Sequence, residues 1–132
     1  MIVVDSGVWI DFFRGAESVA KVSLKKLLAG NQAEIVVPDL VLYEVLRGFR
    51  HRRDLERASQ LMLRFDVPAA FDPRLALIAA EHCRSMVAKG FTIRSALDVM
   101  IGAFCIDRGY ALLHNDRDFD TMHELRGLKV YA

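Results

Sequence analysis

Several acidic residues lie within apolar surroundings or directly after a predicted strand. Asp5 follows the β-branched run Ile2–Val4, which places it at the carboxyl end of a predicted first strand. Asp98 lies within the apolar stretch 96–106, and its helical neighbours three and four positions later are apolar or glycine. The alternative for Asp5 is a helix N-cap. For Asp98 the alternative is also a cap role at the start of its helix, although Ser95 is the better cap and leaves Asp98 free at the third helical position.

Three further acids occupy comparable positions. Glu44 is predicted on a helix whose residues three and four positions earlier are apolar, so its carboxylate faces an apolar stripe. Such a carboxylate costs free energy unless it is paired, protonated or bound to metal, and the alternative is a buried ion pair with an arginine. Asp116 and Asp118 follow the predicted strand 110–113, where a surface acidic turn is the alternative for either.

The elements that must position these acids alternate between short apolar runs and amphipathic stretches. The runs predict strands at residues 2–4, 35–37, 65–67, 110–113 and 128–131, of which 65–67 is the weakest. The stretches between them repeat with the 3.6-residue period of a helix. Apolar strands separated by helices are typical of a parallel sheet buried on both faces. We therefore expect an α/β fold, a three-layer α/β/α sandwich with a central parallel sheet of four to five strands.

The predicted sheet brings the acids to one place, because ligands of open α/β sheets bind at the carboxyl ends of the strands. Two carboxylates ~4 Å apart repel by roughly 1 kcal/mol in water and by about 4 kcal/mol at an effective dielectric constant of about 20. Such a cluster holds either protons or a hard cation, and oxygen ligands favour Mg²⁺ or Mn²⁺. A metal held this way suits phosphodiester hydrolysis, because it activates water and stabilises charge on phosphorus.

The ordered set of motifs resembles the PIN-domain family, and more narrowly the VapC-type toxin ribonucleases of toxin–antitoxin pairs. The motifs are MIVVDS (1–6), WID (9–11), YEV (43–45), LD (97–98), IGA (101–103) and HNDRDF (114–119). The resemblance covers essentially the whole chain. It implies a parallel α/β/α sandwich, cleavage of RNA, and a VapB-like antitoxin that blocks the site. It also implies a homodimer.

The resemblance further assigns roles to individual residues. The implied catalytic acids are Asp5, Glu44, Asp98 and Asp116, and the implied ligands of Mg²⁺ (or Mn²⁺) are Asp5, Asp98, Asp116 and Asp118. Glu44 is expected to position or deprotonate the attacking water, and Ser6 to make an orienting hydrogen bond. Asp116 is favoured over Asp118 because it is nearer the strand end. His114 departs from the family pattern, since a threonine or serine is common there.

A basic cluster follows Glu44 on the same predicted helix and the turn after it. The members that we expect to contact RNA are Arg47, Arg50, Arg52 and Arg53. Contacts with the phosphate backbone are independent of sequence and sensitive to salt. The alternative is a solvated charged face. The aromatic group Trp9, Phe12 and Phe13 is explained either by core packing or by an apolar surface for a partner.

The composition limits the classes of protein to which the chain can belong. Its 132 residues predict a single domain, 1–132, and a net charge of +1 excludes a polycation that grips nucleic acid by bulk charge alone. No apolar run approaches the ~20 residues of a membrane span, and the N-terminus does not resemble a signal peptide, so we expect a cytoplasmic protein without membrane contact. Two other functions stay open: a metal-dependent phosphatase or nuclease of different specificity, and a non-catalytic module that binds RNA or a partner.

Overall fold

A four-stranded parallel sheet forms the centre of the chain. The computed structural model describes residues 1–131, so Ala132, the last residue of the predicted domain, lies outside the described residues. The strands are β1 (Ile2–Val4), β2 (Ile35–Val36), β3 (Ala111–Leu113) and β4 (Lys129–Val130), in the spatial order β2-β1-β3-β4. Strand β1 lies inside the sheet and all its residues are buried, as expected for an apolar β-branched run covered on both faces.

Helices connect and cover these strands. They are α1 (Ser6–Arg14), α2 (Val19–Gly30), α3 (Asp39–Leu46), α4 (Arg52–Met62), α5 (Pro73–Ala88), α6 (Ala96–Arg108) and α7 (Arg117–Arg126). Helix α1 packs on α2 and α3, and α3 packs on α4, whereas α5, α6 and α7 pack on one another. The predicted α/β/α sandwich with a parallel sheet is confirmed. Within the described residues, every helix is too short or too polar to cross a membrane.

The predicted strand at residues 65–67 is wrong as a full strand. The segment makes a single parallel bridge between Val36 and Asp66, in which the backbone N–H of Val37 donates to the carbonyl oxygen of Asp66 at 2.9 Å. Pro68 follows closely and has no N–H to donate, so the ladder cannot continue. The sheet therefore has four strands, the lower of the two expected numbers.

Aromatic side chains anchor the first helix, α1, to the core. Trp9 is fully buried and stacks on Phe13, with ring centroids 6.0 Å apart. Phe12 and Phe13 are partly buried against the same core. Core packing therefore accounts for Trp9. The aromatic anchor holds α1, and hence the residues at its start, against the carboxyl end of β1.

Candidate metal centre

Asp5 lies at the carboxyl end of β1, beside the end of β3. Its backbone N–H donates to the carbonyl oxygen of Leu113 at 2.9 Å, and the residue is 5% exposed. The side chain does not cap α1. Its Oδ1 atom is buried and has no hydrogen-bond partner among residues 1–131. A buried ionised oxygen without a partner is costly, so this atom requires a proton or a cation.

A first group of acids gathers around Asp5. Asp5, Glu44 and Asp98 each offer a carboxylate oxygen, and these three atoms all lie within 4.8 Å of one another. Glu44 comes from α3 and Asp98 from the first turn of α6, where Ser95 Oγ accepts from the Asp98 N–H at 3.3 Å. Sheet order and helix packing thus bring together three acids that are far apart in the sequence.

Glu44 is held by contacts at both oxygens. Its Oε1 accepts a hydrogen bond from the hydroxyl of Ser6, and its Oε2 lies 3.7 Å from an Arg47 guanidinium nitrogen. The Arg47 side chain is 56% exposed, so solvent screens this ion pair and it contributes little. Glu44 therefore does pair with an arginine, as the sequence left open, but the pair is at the solvent-exposed edge of the site. Glu44 still offers an oxygen to the cluster with Asp5 and Asp98.

A second group of acids shares Asp98 with the first. Asp98, Asp116 and Asp118 again offer oxygens within 4.8 Å of one another. Asp116 is the N-cap of α7, and its Oδ1 accepts from the backbone N–H of Asp118 at 3.0 Å. Asp116 is exposed, whereas Asp98 and Asp118 are partly buried. The two groups form one continuous acidic site with Asp98 at its centre.

Burial and mutual repulsion make this site unfavourable for negative charge. Burial, followed by the charges of Asp98 and Glu44, raises the pKa of Asp5 from 3.8 to about 7. Burial, followed by the charges of Asp116, Glu44 and Asp118, raises the pKa of Asp98 from 3.8 to about 6. Both carboxyls therefore hold protons at a pH where ordinary aspartates are ionised. A divalent cation would replace those protons.

His114 supports the loop that carries Asp116. Its side chain is 6% exposed, and its Nδ1 accepts from the backbone N–H of Asp116 at 3.2 Å. The ring packs against Phe119 with centroids 5.1 Å apart, and burial lowers the pKa of His114, which favours the neutral ring. The imidazole nitrogen thus provides an acceptor that helps to fix the backbone of Asp116.

The cleft around the acids includes two residues to which the sequence analysis assigned no role. Its volume is about 480 Å³, and Gly7 and Asn115 line it. Asn115 Nδ2 donates to Asp11 Oδ2 at 2.9 Å, and a Cβ atom at Gly7 would lie 3.2 Å from Asn115 Oδ1. Asp11 and Asn115 are 104 positions apart, so no local pattern could have revealed this contact.

The four arginines of the predicted basic cluster lie in the connection between α3 and α4 and at the start of α4. Arg47 follows the end of α3 and lines the acidic cleft, and Arg50 lines a neighbouring groove. Arg52 and Arg53 begin α4 and are exposed. The expectation that the cluster lies on the helix of Glu44 and the turn after it is wrong for Arg52 and Arg53, because a new helix, α4, begins at Arg52. Contact with RNA stays a prediction for all four.

The residues present fit a hard divalent cation. All the candidate ligands are carboxylates, they form two groups of three around Asp98, and the buried Asp5 Oδ1 lacks a partner. Oxygen donors of this kind are those that Mg²⁺ and Mn²⁺ prefer. The arrangement can therefore hold one ion, or two ions that share the Asp98 carboxylate.

The comparisons with known proteins agree with this geometry. The PIN domain model matches residues 2–125. The chain is 31% identical over 133 aligned positions to the VapC ribonuclease Mb1587 of Mycobacterium bovis and to ribonuclease VapC11 of Mycobacterium tuberculosis. In both cases the match covers 98% of this chain and 97% of the relative.

Solved structures of low sequence identity share the fold. VapBC2 from Rickettsia felis, bound to a promoter DNA fragment, matches with a TM-score of 0.76 and 17% identity, over 99% of this chain and 98% of that chain. VapC20 of M. tuberculosis, described as a toxin that cleaves the sarcin–ricin loop, matches with a TM-score of 0.67 and 18% identity, over 91% and 93%. From the family match and the 31% identity together, the chain belongs to the PIN-domain family and, within it, to the VapC ribonucleases.

Proposed function

We propose that this chain is the toxin of a type II toxin–antitoxin pair and acts as an Mg²⁺-dependent endoribonuclease. The observation that carries the proposal is the arrangement of five acids in two clusters of three that share Asp98. In the first cluster, the buried Oδ1 atom of Asp5 has no hydrogen-bond partner among residues 1–131. The 31% identity to VapC ribonucleases over nearly the whole chain supports RNA as the substrate. Mn²⁺ is a second candidate ion, because the same oxygen ligands suit it.

The acids divide into metal ligands and a proton acceptor. The proposed ligands are Asp5, Asp98, Asp116 and Asp118, of which Asp98 belongs to both groups. Mg²⁺ bound there would lower the pKa of a coordinated water and stabilise charge on the phosphate. Asp116 is the proposed main fourth acid, because it lines the cleft around Asp5 and Asp98.

Glu44 is the proposed general base. Its Oε1 accepts from the Ser6 hydroxyl and its Oε2 faces Arg47, so the carboxylate is oriented from both sides. Held in this way, Glu44 can accept a proton from the attacking water. The exposed Arg47 guanidinium lies at the lip of the cleft, where it can contact a phosphate of the bound RNA.

Cleavage of labelled oligoribonucleotides with and without EDTA tests the proposal. Asp98→Asn is expected to lower cleavage at least a hundredfold, because both acid groups lose their shared ligand, whereas the folded chain persists. Asp107→Asn is the matched control, since Asp107 lies on the same helix and pairs with Arg74 near the surface. Full cleavage by Asp98→Asn, or cleavage that EDTA leaves unchanged, would refute the metal assignment. Turnover of a phosphomonoester but not of RNA would favour a phosphatase.

The proposed partner is a VapB-like antitoxin, with the toxin as a cytoplasmic homodimer. The fold likeness to chains from VapBC complexes supports the antitoxin. Co-expression with the product of an adjacent small gene should give a co-purifying complex without ribonuclease activity. Light scattering on the isolated toxin tests the dimer, and a monomeric mass at micromolar concentration would contradict it.

A further inference from the structure

A second groove opens beside the acidic cleft, between α1 and α4. Its volume is about 480 Å³. Helix α1 contributes Phe13 and Arg14, α4 contributes Arg57, and the connection between α3 and α4 contributes Phe49 and Arg50. Ile10 and Gly48 line both this groove and the acidic cleft. A chain that lies in the groove can therefore continue directly into the acidic site.

The groove has an aromatic floor that the core holds in place. Phe13 and Phe49 meet edge to face, with ring centroids 5.7 Å apart and planes at 69°. Phe13 also stacks on the fully buried Trp9. Both phenylalanines are only partly buried, so each leaves aromatic surface towards the groove. A fixed, partly exposed aromatic pair is a surface on which unstacked bases bind.

The rim of the groove is positively charged. Arg14, Arg50 and Arg57 are exposed, and Asp54 is the acidic residue that lines the groove with them. Within residues 1–131, the ion pairs that form leave these three guanidinium groups without a carboxylate partner. The neighbouring acidic cleft repels a phosphate chain, so attraction from this rim is needed to hold a polyanion across it.

We propose that this groove binds a single-stranded RNA segment next to the scissile phosphate. A base stacks on the Phe49 ring, with the edge of Phe13 beside it, while the flanking phosphates contact Arg14 and Arg57. The proposal rests on the proposed ribonuclease function and adds a substrate subsite to it. Single-stranded RNA is the occupant because a duplex does not offer unstacked base faces to an aromatic floor.

Fluorescence anisotropy with a fluorescein-labelled oligouridylate in EDTA tests the charged rim. The double variant Arg14→Ala/Arg57→Ala should lose at least tenfold in affinity, and the slope of log K against log salt should fall by about 1.4, since each phosphate contact on a single strand contributes about 0.7. The double variant Lys26→Ala/Arg84→Ala removes the same charge from exposed positions outside the groove. Its affinity and its salt slope should both change much less than those of the groove variant. Equal losses in both double variants would overturn the proposal.

Phe49→Leu tests stacking separately from charge. The leucine keeps an apolar side chain, so the fold is preserved, but affinity should fall about five- to tenfold without a change in the salt slope. Phe71→Leu is the matched control at an exposed aromatic residue outside the groove. Unchanged affinity in Phe49→Leu would overturn the stacking contact.

Photo-crosslinking of the unmodified protein to 4-thiouridine RNA gives a check that does not depend on variant folding. Crosslinks should map to the peptides that contain Phe13 or Phe49, and crosslinks found only elsewhere would overturn the proposal. Groove variants that bind RNA normally but no longer co-purify with the antitoxin would also overturn it, in favour of a peptide site. Because binding is measured in EDTA, absence of metal-dependent cleavage would refute the proposed function without affecting this result.

Discussion

Ser6 donates a hydrogen bond from its hydroxyl to Glu44 Oε1, joining the first residue of α1 to the last turn of α3 across 38 positions of sequence. Ser6 is almost fully buried, whereas Glu44 lines the cleft, so the buried hydroxyl holds a carboxylate that solvent can reach. It fixes the carboxylate that is proposed to accept the proton from the attacking water. The same contact ties together two of the elements that build the acidic cleft.

Loss of this hydroxyl should reduce the rate of cleavage rather than substrate binding. Ser6→Ala removes a hydrogen bond to a charged group, worth about 1.5–3 kcal/mol, so kcat should fall about tenfold or more while KM changes little. The reason is that Glu44 would no longer be oriented for proton transfer. Steady-state kinetics on a labelled oligoribonucleotide measure the effect.

Ser6→Thr and Ser23→Ala are the controls for this prediction. Threonine keeps the hydroxyl and should restore most of kcat, whereas Ser23 lies on α2 away from the acidic cleft and its replacement should have no effect. An unchanged kcat in Ser6→Ala would show that the bond to Glu44 is not used in the reaction.

The raised pKa values of Asp5 and Asp98 predict how stability depends on pH without metal. The folded chain keeps these carboxyls protonated up to about pH 7 and about pH 6, whereas the unfolded chain releases the protons near 3.8. The contribution of these two carboxyls to the free energy of unfolding is therefore highest at low pH, and it falls as pH rises to about 7. The loss is about 1.4 kcal/mol per pH unit for each carboxyl in this window.

A difference between variants isolates this effect from other titrating groups. The lowered pKa values of His82 and His114 act in the opposite direction, since they favour the folded chain as pH rises. Urea unfolding in EDTA should therefore show that Asp98→Asn gains stability over the parent as pH rises from 4 to about 7. Added Mg²⁺ should stabilise the parent more at pH 8 than at pH 5.5, because fewer protons compete for the oxygens. A gap between variant and parent that stays constant with pH would contradict the prediction.

The contact between Asn115 and Asp11 should couple the loop between β3 and α7 to helix α1. Asn115→Ala and Asp11→Ala are each expected to lower stability modestly, and a double-mutant cycle should give a coupling of about 0.5–1.5 kcal/mol. The reason is a direct hydrogen bond of 2.9 Å between the two side chains. Thermal unfolding of the four proteins measures it, and additive effects would show that the bond contributes nothing.

The sequence predicted the features that depend on neighbouring residues. The apolar runs predict the positions of all four strands. The acids directly after strands or within apolar helices can be recognised as candidate ligands. Ser95 could be predicted as the cap of α6, because the capping pattern is local, and it does accept from the Asp98 N–H. The short apolar pattern at residues 65–67 predicts a strand, but the segment forms only one bridge because Pro68 prevents a longer ladder.

Only the tertiary structure decided which of these residues meet. The order β2-β1-β3-β4 places Asp5 beside the end of β3, and the packing of α3 and α6 brings Glu44 and Asp98 to it. The bond between Asn115 and Asp11, and the meeting of the aromatic group with the basic cluster in the groove between α1 and α4, follow from no local pattern. Hydrophobic periodicity determines which face of an element is buried, but the contacts between distant side chains follow from how the elements pack, and that is settled only when the whole core forms.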